Sequence, residues 1–191
     1  GSVCVSAKAT MTVNRQTRLA TERNHSATHL LQKALRTVLG EHVHQAGSSV
    51  TTERLRFDFN HMQALSKEEL AEVEKIVNKA IVHDYAVNTQ VLPIEEAKKL
   101  GAMALFGEKY GDNVRVVEMG DYSLEFCGGT HVKNTASIGM FKILHESAVA
   151  AGVRRIEAVT GGGARAVYET QEHVLEEVSE IFKANYSDIV N

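Results

Sequence analysis

The chain has 191 residues, 43% of them hydrophobic, which suits one medium-sized domain with its own buried core. A formal charge of −3 counts against a strongly basic nucleic-acid-binding surface, no apolar run approaches a membrane span, and no secretory leader is visible. Two cysteines, Cys4 and Cys127, exclude a disulfide framework and point to a reducing, cytoplasmic setting.

Gly1-Ser2 reads as the remnant of a cleaved expression tag, foreign to the fold. Val3–Val13 alternates and is rich in valine and threonine, which predicts a strand. Leu19 to Leu39 predicts a helix, with Leu30, Leu31, Ala34, Leu35, Val38 and Leu39 as its apolar stripe and Gly40 as its stop. Residues 42–60 predict two strands; in the second, Leu55, Phe57 and Phe59 share one face, and Arg56, Asp58 and Asn60 the other. Ser66 and Glu69 form a capping box that opens a helix running through Asp84. Val87–Leu92 predicts a strand, and Pro93 starts a short helix that ends at Gly101. Val114–Met119 and Tyr122–Phe126 predict a hairpin around Gly120-Asp121, so Cys127 falls where a strand gives way to a glycine loop. Gly139–Ala148 and Val153–Thr160 predict two more strands, Gly161–Gly163 a break, and the segment from Ala164 an amphipathic helix. The fold class is therefore α+β, an antiparallel or mixed sheet packed with helices. Lys8, Arg15, Arg18 and Arg23 make the start basic, whereas Glu169, Glu172, Glu176, Glu177 and Glu180 make the end acidic; a solvated surface is the ordinary reading of both runs and the preferred one for the acidic end.

The chemistry concentrates in two spaced pairs. His25 and His29 stand one helical turn apart on a common face, and Cys127 and His131 repeat that spacing with Gly128 and Gly129 between them. Two glycines let the backbone turn so that Cys127 and His131 aim at one point. A single histidine pair on a helix is commonly solvated or part of a core. The second, cysteine-containing pair completes a set suited to zinc. Ser26 follows His25 where a zinc protease carries glutamate as its general base, so that class is excluded. The glycine runs lack the lysine pattern and spacing of phosphate loops. Cys127 can also be read as a nucleophilic thiol, but its spacing, which mirrors the histidine pair, fits a metal-bound thiolate better.

Several longer stretches carry a resemblance. Asn24-His25-Ser26-Ala27-Thr28-His29-Leu30-Leu31-Gln32, Leu55-Arg56-Phe57-Asp58-Phe59, the block from Gly101 to Tyr110, Cys127-Gly128-Gly129-Thr130-His131 and the block from Ala151 to Val159 resemble the editing domain of bacterial alanyl-tRNA synthetases, in order, from about Arg15 to Gly163. Free-standing alanyl-tRNA trans-editing proteins share the paired ligands, and threonyl-tRNA synthetase has a related domain. The resemblance implies a threonyl/alanyl-tRNA synthetase editing-domain-like fold in residues 15–163. Residues 1–14 would be the end of a preceding β-barrel domain, and 164–191 the start of a C-terminal helical region. It further implies hydrolysis of the ester of tRNA(Ala) mischarged with serine or glycine. Zn2+ would sit on His25, His29, Cys127 and His131, and the tRNA acceptor end and the flanking synthetase domains would be the partners. ATP binding would belong to the full-length enzyme.

The same resemblance assigns Thr28 and Gln45 to contacts with the seryl hydroxyl, and Arg154 to the tRNA end or the ester. Ordinary roles compete with each: a helix threonine bonding its own backbone, an exposed strand glutamine, a surface arginine. Four protein ligands make a closed, structural zinc site, whereas three leave a position for water, and the sequence does not choose between them. Two other functions therefore stay open, a zinc-stabilised tRNA-binding module without independent activity and a zinc hydrolase for a small substrate.

Overall fold

Asn14 starts the first helix: its side chain accepts a hydrogen bond from the Thr17 amide, and α1 then runs over Arg15–Leu39. The computed structural model describes residues 8–104, 110–185 and 188. In chain order there follow β1 (Gln45–Val50), β2 (Leu55–Asn60), α2 (Lys67–His83), β3 (Val87–Pro93), α3 (Ile94–Lys99), β4 (Asn113–Met119), β5 (Ser123–Phe126), a 3-10 turn (Thr135–Ile138), β6 (Phe141–Ala150), β7 (Val153–Thr160) and α4 (Gly162–Phe182). The strands form two antiparallel sheets, one of order β1-β2-β7-β6 and one of order β3-β4-β5. The architecture is α+β.

Alternation along β2 sends Leu55, Phe57 and Phe59 into the core, all fully buried, where they meet Ala27, Leu30, Leu31, Ala34 and Leu35 of α1. α1 contacts β1, β2 and β7 of the first sheet and also β5 of the second, so it lies beside the loop that follows β5. Three polar groups fix it there. Asn24 Nδ2 donates to the Thr51 carbonyl at 2.9 Å, Thr160 Oγ1 donates to Asn24 Oδ1 at 2.6 Å, and the Tyr122 hydroxyl donates to the Leu30 carbonyl at 3.1 Å. The Ser66–Glu69 capping box is present, and Asp84 ends α2 in the left-handed conformation, with φ 60°. A smaller apolar cluster of Ala97, Ala102, Val114, Val116 and Phe126 ties α3 to the second sheet.

The structure differs from the sequence expectations at several places. Residues 8–13 carry no strand; the rest of Val3–Val13 lies outside the described residues, as does 105–109 of the Gly101–Tyr110 block. A strand needs a partner for its amides, and the exposed residues 8–13 have none in either sheet. The Asn14 cap starts α1 four residues before Leu19, which places His25 and His29 in mid-helix. Thr135–Ile138 forms a 3-10 turn capped by the Asn134 side chain and closed by Gly139 at φ 78°, so β6 begins at Phe141. Of the three glycines expected to break the chain, only Gly161 takes positive φ (52°); Gly162 and Gly163 already belong to α4.

Candidate metal centre

α1 supplies half of the centre. Residues one turn apart share a face, so His25 and His29 point the same way. The hairpin of β4 and β5 and the loop after it supply Cys127 and His131. Arg115 Nη1 holds that loop by donating to the carbonyls of Cys127 (2.8 Å) and Gly129 (2.7 Å), while the Cys127 amide donates to the Arg115 carbonyl. The fully buried Ser26 accepts from the Val132 amide at 3.1 Å and so anchors the loop to the helix.

One ligand atom from each of His25, His29, Cys127 and His131 lies within 4.8 Å of every other. His29 Nε2 stands 3.1 Å from His131 Nε2, and Cys127 Sγ 3.4 Å from His25 Nε2. Tetrahedral zinc, with Zn–N of about 2.0 Å and Zn–S of about 2.3 Å, has N···N and N···S edges of roughly 3.3 and 3.6 Å. Those edges are close to the two short spacings of 3.1 and 3.4 Å, and three imidazoles with one thiolate are a donor set that zinc accepts. The outward nitrogens of two rings are also placed: His25 Nδ1 lies 3.2 Å from the Thr130 carbonyl, and His29 Nδ1 lies 2.6 Å from Glu125 Oε2. Such outer contacts orient imidazoles toward a metal. His131 Nδ1 is buried with no hydrogen-bond partner.

The electrostatics agree. Burial pushes the Cys127 thiol up, but hydrogen bonds from His131, His25 and His29 outweigh it and bring the pKa down to about 3. Burial pulls His29 down, but Glu125 and Cys127 overcome this and raise it to about 10. His131 is lowered, chiefly by burial. The free protein thus carries a thiolate and an imidazolium in contact, with His131 a neutral ring ready to coordinate.

The family model for the threonyl and alanyl tRNA synthetase second additional domain matches residues 114–157, which include Cys127, His131 and Arg154. Alanine--tRNA ligase 1 of Lachnoclostridium phytofermentans is 58% identical over 190 residues, covering 100% of this chain and 22% of that protein. The alanine--tRNA ligase of Carboxydothermus hydrogenoformans is 54% identical and that of Bacillus subtilis 53% identical, each over 189 residues covering 99% of this chain. The chain belongs to the alanyl-tRNA synthetase editing-domain family. It spans 22% of the length of each of these three relatives. Among the described residues, no helix is long and apolar enough to cross a membrane.

The structure brings the four sequence-predicted ligands of this editing domain together; of the other three predicted residues, Thr28 adjoins His29 in the chain, while Gln45 and Arg154 lie on β1 and β7. Thr28 precedes His29 on α1, is buried, and donates its hydroxyl to the Asn24 carbonyl at 2.9 Å. Gln45 opens β1 and donates its amide to Ser48 Oγ at 3.1 Å. Arg154 on β7 donates from Nε to Glu146 Oε1 at 2.5 Å. Gln45 pairs with Phe59 and Phe59 with Arg154, so the two predicted residues flank a core phenylalanine in one row across the sheet, on the face that α1 covers.

The glycines act differently from the expectation. Neither Gly128 nor Gly129 takes positive φ, so a left-handed turn is not what they supply. A Cβ at Gly129 would sit 1.9 Å from His25 Cε1, so the constraint there is close approach of backbone to ligand. Sequence reasoning missed Glu125, Ser26 and Arg115. No local pattern marks Glu125, which stands two positions before Cys127 in a strand that buries both Glu125 and its neighbour Phe126.

Proposed function

We propose that this chain hydrolyses the aminoacyl ester of tRNA(Ala) mischarged with serine or glycine, at a zinc held by His25, His29, Cys127 and His131. The convergence of those four ligand atoms within 4.8 Å, on an editing-domain chain, is the observation that carries the proposal. The resemblance alone supports the division proposed with it: residues 15–163 as the deacylase unit, 1–14 as the end of a preceding barrel and 164–191 as the start of a helical region. The acceptor end of tRNA(Ala) and the flanking synthetase domains are the partners, and the setting is the cytoplasm.

Zinc in this position would polarise the ester carbonyl or lower the pKa of a bound water. Four protein ligands fill a tetrahedron, so one must yield for water or substrate to enter. His131 is the ligand suited to yield, because its Nδ1 lacks the outer partner that His25 and His29 each have.

Selectivity is assigned to Thr28 and Gln45. The Thr28 proton is committed to the Asn24 carbonyl, which leaves the hydroxyl's lone pairs to accept from a seryl hydroxyl. Gln45 commits its amide nitrogen to Ser48 and keeps Oε1 as an acceptor. A pocket that bonds a hydroxyl rejects the analogue lacking it, since its own polar groups are then left unpaired. Arg154 remains a donor to the tRNA end or ester through the guanidinium N–H groups that Glu146 does not occupy.

Two sets of variants test this. Cys127→Ala/His131→Ala should lose zinc by elemental analysis and seryl-tRNA deacylation together; full zinc retention would sink the ligand assignment. Thr28→Val and Gln45→Leu should each lower the ratio of seryl to alanyl kcat/KM by about 1–3 kcal/mol while zinc content holds. An unchanged ratio in both would move selectivity to another wall of the pocket.

A further inference from the structure

We propose that Glu125 is the positioning residue of this metal centre: its carboxylate, held by Ser123, fixes the His29 ring so that Nε2 faces the other three ligands. The role rests on the metal reading given above, and it names a residue outside the ligand set. The geometry is specific. Along β5 alternate side chains face opposite ways, so Phe126 enters the smaller cluster with Ala97 and Val114 while Glu125 faces α1. Glu125 is only 6% exposed, and a carboxylate buried to that degree needs partners for its charge. It has two. Oε2 takes His29 Nδ1 at 2.6 Å, and Oε1 accepts from the Ser123 hydroxyl at 3.1 Å.

With Nδ1–H held by the carboxylate, Nε2 is the nitrogen of His29 left to coordinate, and it lies 3.1 Å from His131 Nε2 inside the cluster. The ring can neither flip nor exchange tautomers without breaking the buried pair. His25 has only a neutral carbonyl in the corresponding place, and His131 has nothing. Glu125 therefore makes His29 the most firmly held of the three imidazoles.

A plain salt bridge that pins α1 to β5 would use the same contacts, so the test must read the metal itself. Wild type, Glu125→Gln and Ser123→Ala are compared by zinc affinity in chelator competition and by the visible spectrum of the cobalt(II)-substituted protein. Glu125→Gln keeps the shape, and Ser123→Ala loosens Glu125 without touching His29, so the second variant keeps the test open where the first does not fold. Glu118→Gln, on the neighbouring strand, is the control. Glu125→Gln is expected to weaken zinc binding by roughly 10–100-fold and to shift the cobalt ligand-field bands. Ser123→Ala should move both readouts less and in the same direction, and Glu118→Gln should move neither. Wild-type zinc affinity and an unchanged cobalt spectrum in Glu125→Gln would overturn the role of Glu125 alone. Weaker zinc binding with an unchanged cobalt spectrum would also overturn it, by reducing Glu125 to a structural contact. Failure of the wild type to bind either metal would overturn the metal reading underneath.

Discussion

Gly129 is the residue with the least freedom to change. Its backbone passes so close to His25 that any side chain collides with the ring. Gly129→Ala must displace either the ligand or the loop carrying Cys127 and His131, and it is expected to lower zinc occupancy well below one per chain on elemental analysis. Gly128→Ala meets nothing within 4 Å and is expected to retain zinc, so the pair isolates the steric cause. Protonation gives a second prediction. In the free protein His29 is raised to about 10 and holds a proton at neutral pH, whereas Cys127, lowered to about 3, is already a thiolate. Zinc has to displace the His29 proton, so apparent affinity should rise as pH rises and level off above the raised pKa; titration in two buffers of different ionisation heat should count about one proton released per zinc at pH 7. Affinity that is flat across the neutral range would show that His29 is neutral in the free protein. The ligand set was legible because one of only two cysteines stands in a pair that repeats the histidine spacing. Glu125 was not, because carboxylates are common and nothing local marks the one that reaches across to α1.

At the scale of elements, α1 is the member on which the site depends, and Asn24 fixes its rotation over the first sheet. Its amide bonds the Thr51 carbonyl on one side and the Thr160 hydroxyl on the other, all in buried or partly buried surroundings. Asn24→Ala strands both partners and should cost about 1–3 kcal/mol in denaturant unfolding of the zinc-free protein. A loss within error of zero would mean that water replaces the amide. Most element boundaries could be read from the chain because their signals are local: the Ser66–Glu69 box, the turn at Gly120-Asp121, and the alternation of Leu55, Phe57 and Phe59. The errors are equally local in cause. The start of α1 was placed at the first apolar residue, although the capping side chain of Asn14 lies five residues earlier. The 3-10 turn at Thr135–Ile138 has no apolar period to betray it and is held from outside, with Thr135 Oγ1 donating to the Ala80 carbonyl at 2.8 Å.

Across the whole molecule, the centre joins parts of the chain about a hundred residues apart. α1 brings His25 and His29, and the loop after β5 brings Cys127 and His131, with α1 touching both sheets. The division into two sheets could not be read from strand patterns, since alternation shows that a strand is half buried without naming its neighbour. α4 leaves Val174, Leu175, Ile181 and Phe182 exposed along an otherwise acidic helix, so its sequence period predicted the helix but not what that face meets. A bound metal would bridge α1 and the loop after β5, stabilising the fold by its binding free energy.

The proposed editing of serine from tRNA(Ala) at this metal centre is tested most directly by deacylation of seryl- and alanyl-tRNA(Ala) by this chain, before chelation, after chelation and after zinc is restored. The expected result is hydrolysis of the seryl ester in preference to the alanyl ester, lost on chelation and recovered with zinc. Seryl hydrolysis that survives complete removal of the metal, or equal rates on both esters, would contradict it.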